Sequence, residues 1–108
     1  MKINDIFPGK LIKTDDLEGQ PLVINIQSRA LEEVGTDGSF PVVRWAGTQL
    51  GFVVKKTNGM TIASFLGEET TDWVGKDIEL YPTKTQMGGK MVPCIRVRKP
   101  GTYDLDSI

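Results

Sequence analysis

Apolar residues recur along much of this chain at every second position, the spacing that lines one face of a β-strand. The first clear case is Leu22-Val23-Ile24-Asn25-Ile26-Gln27, rich in β-branched residues, with Ile24 and Ile26 on one face and Asn25 and Gln27 on the other. A strand is expected over 22–27, and its pattern lets it run on as far as Leu31 or Val34. After a loop at Gly35-Thr36-Asp37-Gly38-Ser39, residues 40–46 form a second strand. Gly47-Thr48-Gln49 then turns the chain into a third, residues 50–55, making a hairpin. The period changes next. Ile62, Ala63, Phe65 and Leu66 form a helical stripe over about residues 58–66, with Thr57 or Asn58 able to cap it and Gly67 placed to end it. Alternation returns over 77–85 (Ile78 and Leu80 inward, Glu79, Tyr81 and Thr83 outward) and over 91–99 (Ile95 and Val97 opposed to Arg96 and Arg98). Gly88-Gly89 marks the hairpin turn between them.

Three strands, a helix and two strands predict a mainly β domain: a five-stranded OB-type Greek-key barrel with one helix between strands three and four. The same order also fits an SH3-like barrel, where a helix of this length is less expected. The barrel is placed at residues 11–103. An N-terminal arm, residues 1–10, precedes it, and a short acidic C-terminal tail, residues 104–108, follows. Ile24, Ile26, Ile62, Leu66, Ile78, Leu80, Ile95 and Val97 are the expected core. Trp73 is read as a plug closing one end, Trp45 as core if Arg44 faces outward, and Phe52 as ambiguous.

Composition agrees with one globular domain of 108 residues, 39% hydrophobic and 25% charged. One cysteine, Cys94, rules out an internal disulfide, and the absence of histidine removes imidazole-based nucleophilic triads and metal ligands. No apolar h-region opens the chain and no apolar run approaches a membrane span, so a cytoplasmic location without membrane association is expected. Asp15, Asp16 and Glu18 crowd one polar turn. They are better read as solvated surface than as a metal-dependent nuclease centre, and the chain is expected to bind rather than catalyse, with no metal or cofactor.

The net charge is only −1, but its distribution is uneven. Residues 41–67 carry Arg44, Lys55 and Lys56, and residues 80–103 carry Lys84, Lys90, Arg96, Arg98 and Lys99, with no acid in either stretch. If the two adjoin in the fold they make a basic face.

From residue 50 onward, Phe52-Val53-Val54-Lys55-Lys56-Thr57-Asn58, Thr61-Ile62-Ala63, Asp72-Trp73-Val74-Gly75-Lys76-Asp77-Ile78-Glu79-Leu80-Tyr81-Pro82, Gly88-Gly89-Lys90 and Ile95-Arg96-Val97-Arg98 form an ordered series of landmarks. This series resembles a family of small phage- and prophage-encoded proteins, mostly of unassigned function, with an OB-fold like that of single-stranded DNA-binding proteins. The resemblance covers about the last half of the chain. Lys55 departs from it, since asparagine is expected there. It implies a phage source, a host-cytoplasm location and a place among replication or recombination genes.

Single-strand binders combine a positive groove for the backbone with planar groups that stack on bases. The candidate nucleic-acid-binding residues are Arg44, Lys55, Lys56, Tyr81, Lys84, Lys90, Arg96, Arg98 and Lys99. Arg96 and Arg98 form the favoured pair, and Tyr81 is the favoured stacking residue. The expected partner is single-stranded DNA, with RNA equally compatible. The alternative is a phage protein-interaction or virion-assembly component on the same barrel, and a homo-oligomer is compatible with either. The tail Asp104-Leu105-Asp106-Ser107-Ile108 is similar in kind to the acidic, apolar-ended tails of bacterial single-stranded DNA-binding proteins, which marks it as a candidate contact for a protein partner.

Overall fold

The computed structural model describes residues 11–101. The arm at 1–10 and the tail at 104–108 lie outside that span. Among the described residues the chain forms six strands, β1 (Leu22–Asn25), β2 (Ser28–Glu33), β3 (Ser39–Arg44), β4 (Gly51–Val53), β5 (Asp77–Met87) and β6 (Lys90–Arg98), with one α-helix, α1 (Lys56–Leu66), and 3-10 turns at Thr14–Leu17 and Thr70–Trp73. The strands make two antiparallel three-stranded sheets, in the orders β1-β5-β6 and β2-β3-β4.

This overturns the five-stranded OB-type barrel. Among the described residues there are six strands, they do not close into a barrel, and the helix lies between the fourth and fifth strands. The physical reason lies at two residues. The Ile26 N–H donates to Lys76 O at 2.9 Å and the Ile26 carbonyl accepts from Gly75 N at 2.7 Å, whereas Gln27 N donates to Arg44 O at 2.8 Å. Backbone partners therefore switch sheets between Ile26 and Gln27, and the apolar run expected as one long strand becomes β1 in one sheet and β2 in the other. Alternation reports which face a residue takes, but carries nothing about which strand it pairs with.

The core lies between the sheets. Ile24, Ile26, Ile78, Leu80, Ile95 and Val97 come from the first sheet and its immediate flank, Val43 and Phe52 from the second, and Ile62 from the helix; Leu17, Val54 and Trp73 complete it. Seven of the eight expected core residues are buried. Leu66, in the last helical turn, is only half-buried and packs on the cluster edge. The helix starts earlier than its side chains suggest. Lys55 occupies the N-cap position without a side-chain cap, and Asn58 lies inside the first turn, so neither Thr57 nor Asn58 is the cap.

The β5–β6 hairpin is turned by Gly88 and Gly89 alone. Both have positive φ (59° and 80°), as a tight two-residue hairpin turn of primed type requires. Glu79 corrects another expectation. Alternation places it outward, yet Ile78, Glu79 and Leu80 are all buried, because both faces of β5 are covered near its start.

On the second sheet, register places Arg44, Val42, Phe40, Glu32 and Gly51 on one face. Arg44 donates two hydrogen bonds to the Glu32 carboxylate. That hydrogen bonding, opposed by a smaller effect of burial, raises the guanidinium pKa above its ordinary value. The guanidinium and Val42 fill the space above Gly51: a Cβ there would lie 2.7 Å from Val42 Cγ1 and 3.3 Å from Arg44 Cζ. Gly51→Ala is therefore expected to destabilise the fold by about 1–3 kcal/mol through overpacking. A urea-unfolding midpoint equal to that of the parent protein would show that Val42 moves aside freely.

Candidate functional site

A cleft of about 420 Å³ opens where residues 12–14, β4, the start of α1 and the β5–β6 hairpin meet. This is within the usual range for ligand sites, about 300–1,000 Å³. Ile12, Phe52, Val53, Met87 and Ile95 supply apolar walls; Lys13, Lys55 and Arg96 supply positive charge; Thr14, Thr85, Cys94 and Asn58 complete the lining. Among the described residues, no carboxylate lines it.

Each cation is positioned differently. Lys13 precedes the first 3-10 turn, and its backbone N–H donates to Asp16 Oδ2 at 2.7 Å, which fixes the turn and occupies one of the crowded acids locally. Lys55 projects from the N-cap of α1. Its Nζ lies 5.5 Å from the Phe40 ring centroid and 3.2 Å from Asp37 Oδ2, in a pair with both side chains more than half exposed. Exposed pairs of this kind contribute about 0–1 kcal/mol, so an incoming anion can displace Asp37. Arg96 is half-buried, donates weakly to Thr85 Oγ1 at 3.4 Å, and has no ion-pair partner among the described residues. The helix N-terminus adds to this field. Lys55 at the N-cap makes no side-chain cap and no acid lies in the first turn, so the positive dipole end is not offset locally.

The candidates named from sequence divide between this cleft and other places. Lys55 and Arg96 come together in it. Lys56 is exposed at the first helical position beside Lys55. Lys90 shares a hairpin face with Arg96, whereas Lys84 projects from the opposite face, across from Pro93. Lys99 is exposed just past the end of β6. Arg44 is held by Glu32 outside the cleft. Arg98 is paired to the buried Glu79 and lies over the Tyr81 ring, 4.5 Å from its centroid. One face of Tyr81 is thereby covered by a guanidinium.

Sequence reasoning missed Lys13, Asn58 and Met87. Lys13 sits in an acidic stretch, and nothing in its neighbourhood along the chain shows that the turn folds back against β4. The Leu11–Gly51 bridge and the Ile12 N–H to Gly51 O hydrogen bond (2.8 Å) bring it there. Asn58 reads as a helix cap until the helix is seen to begin two residues earlier. Among the described residues, no cluster of three or more acids, cysteines and histidines has metal-site geometry, and no helix is long and apolar enough to cross a membrane. No family model, curated protein or solved structure matches the chain.

Proposed function

We propose that this chain is a non-catalytic module that binds single-stranded nucleic acid through the cleft, in the setting of phage replication or recombination. The observation that carries the reading is the convergence of Lys13, Lys55 and Arg96, beside the start of α1, on a cleft lined by no carboxylate among the described residues. Phosphate oxygens meet the cations, and base faces meet the accessible aliphatic walls of Ile12, Val53 and Met87. The resemblance of the second half of the chain to phage proteins supports the setting. A second reading, protein assembly, is favoured by the hairpin tip, where Met87 and Met91 are both largely exposed and adaptable methionine surface suits a protein interface.

Fluorescence anisotropy with labelled single-stranded DNA, single-stranded RNA and duplex DNA, at two or more salt concentrations, separates the readings. Single strands are expected to bind more tightly than duplex, with affinity falling steeply as salt rises. Combined Lys13→Ala and Arg96→Ala substitution is expected to reduce the slope of log affinity against log salt by about 0.7 for each phosphate that is no longer neutralised. Salt-insensitive binding, or an unchanged slope in the double variant, overturns the proposal. Weakened protein association on substituting Met87 and Met91, with no nucleic-acid affinity in the parent protein, favours assembly.

A further inference from the structure

In its sheet β2 pairs with β3 alone, and among the described residues no strand or bridge runs along its outer edge. The hydrogen-bond phase of that edge is fixed by its neighbours. Val34 N donates to Gly38 O at 2.9 Å, one step beyond the Glu33–Ser39 pair, and Val54 N donates to Pro41 O at 2.8 Å, so Pro41 and Val43 turn their backbone toward β4. Bonded pairs alternate along an antiparallel ladder. Ser28, Ala30 and Glu32 therefore bond to β3, and Arg29, Leu31 and Glu33 hold their N–H and C=O groups at the open edge. The side chains of these three share one face of the sheet. Leu31 is the most exposed large apolar residue among the described residues, at 73%. Neither Arg29 nor Glu33 makes an ion pair among the described residues.

An open edge accepts another strand, and proteins that avoid such pairing place proline, lysine or a glycine bulge there. Ser28–Glu33 contains none of these residues. Its charges select the strand that fits. A second copy related by a two-fold axis perpendicular to the sheet lies antiparallel and keeps the same face upward, so open-edge residues meet open-edge residues. An axis through Leu31 sets Arg29 opposite Glu33 of the second copy, Leu31 opposite its counterpart, and Glu33 opposite Arg29. An axis at Ala30 sets Arg29 against Leu31 and Glu33 against Gln27, and an axis at Glu32 sets Glu32 against itself and Leu31 against Glu33. The Leu31-centred register alone pairs both charges and covers the apolar side chain, and opposite charges directly across a ladder are favourable where like charges are not. We propose that two copies of this chain pair along β2 in that register, joining their sheets into one six-stranded sheet in the order β4-β3-β2-β2-β3-β4. The contact is short, so the dimer is reversible and forms in the micromolar range, as small interfaces do. It uses none of the residues that line the cleft and stands independently of the nucleic-acid reading.

Sedimentation velocity on the full chain, from low micromolar to about 1 mM, reads this equilibrium without nucleic acid. The sedimentation coefficient of the parent protein is expected to rise with concentration from that of a monomer toward that of a dimer. Leu31→Lys sets two ammonium groups against each other on the axis and is expected to weaken dimerisation by at least about tenfold. Because Leu31 is exposed, the urea-unfolding midpoint of this variant is expected to match the parent's. Glu33→Arg brings a like charge against Arg29 and is expected to weaken the dimer as well. Arg29→Glu combined with Glu33→Arg reverses both members of the pair and is expected to restore it. Where the charge reversal does not fold, Leu31→Lys decides the matter. A parent protein that stays monomeric over the whole range overturns the proposal. So does a dimer that survives Leu31→Lys undiminished, which would place the contact elsewhere on the chain. Either failure leaves the single-strand reading standing, because no nucleic acid enters the measurement.

Discussion

Replacing Trp73 with alanine is expected to lower the stability of the fold by about 3–5 kcal/mol, the range for truncating a large buried aromatic. Trp73 ends the second 3-10 turn and is almost fully buried in the core shared by the two sheets. Its indole Nε1–H donates to Gly67 O at 2.9 Å, which ties the turn to the end of α1. Immediately after it, Lys76 N donates to Trp73 O at 3.1 Å and Gly75 N to Ile26 O at 2.7 Å, so this turn also holds the point where the chain changes sheets. Truncation leaves a cavity and an unpartnered helix-end carbonyl in one step. Since domains of this size are stable by about 5–15 kcal/mol, the loss is a large share of the whole. Urea unfolding followed by far-ultraviolet circular dichroism measures it. Trp73→Phe, which keeps a ring but removes the N–H, is expected to fall between the two. A Trp73→Ala midpoint within error of the parent would mean that the ring is not part of the core.

Arg98→Ala comes second, at about 2–3 kcal/mol. The Glu79 side chain is 9% exposed and its Oε2 accepts from Arg98 Nε. Removing one member of a fully buried pair costs about 3–5 kcal/mol by stranding the other charge. The Arg98 side chain is 37% exposed, so water screens part of the loss and the expectation is set lower. The guanidinium also covers Tyr81, and that stacking is lost as well. A Glu79→Leu, Arg98→Met double variant is expected to recover most of the stability, because neither charge is then left buried alone. The same substitutions separate structural from binding arginines. Arg98→Ala is expected to leave the salt slope of nucleic-acid binding unchanged, in contrast to Arg96. An unchanged unfolding midpoint combined with a slope reduced by about 0.7 would move Arg98 from the ion pair to the binding surface.

Arg96 and Arg98 show how much of the candidate site could be read along the chain. Their common face, opposite Ile95 and Val97, follows from the two-residue period of β6. Their different uses follow from neighbours that the period does not contain: Glu79 lies across the hairpin from Arg98, whereas Arg96, opposite Tyr81, lines the cleft. Arg44 was legible as a charge on a strand but not as the partner of Glu32, a residue on the neighbouring strand whose register depends on the loop between them. Lys13 entered the cleft only because its segment bridges to Gly51.

By itself the sequence determined the mainly β class, the helix after the first group of strands, the Gly88-Gly89 hairpin and the inward faces of β5 and β6. Each of these follows from a local cause: side-chain period, β-branching or the positive φ that glycine accepts. Tertiary structure decided that Ile26 and Gln27 bond to different sheets, that Glu79 is buried beside two apolar neighbours, and that Lys13, Lys55, Asn58 and Arg96 meet around one cleft. The first is a choice between backbone partners, which all residues offer alike. The second and third depend on what long-range packing places above a given face, and alternation along a strand is the same whether that face meets water, a carboxylate or another sheet.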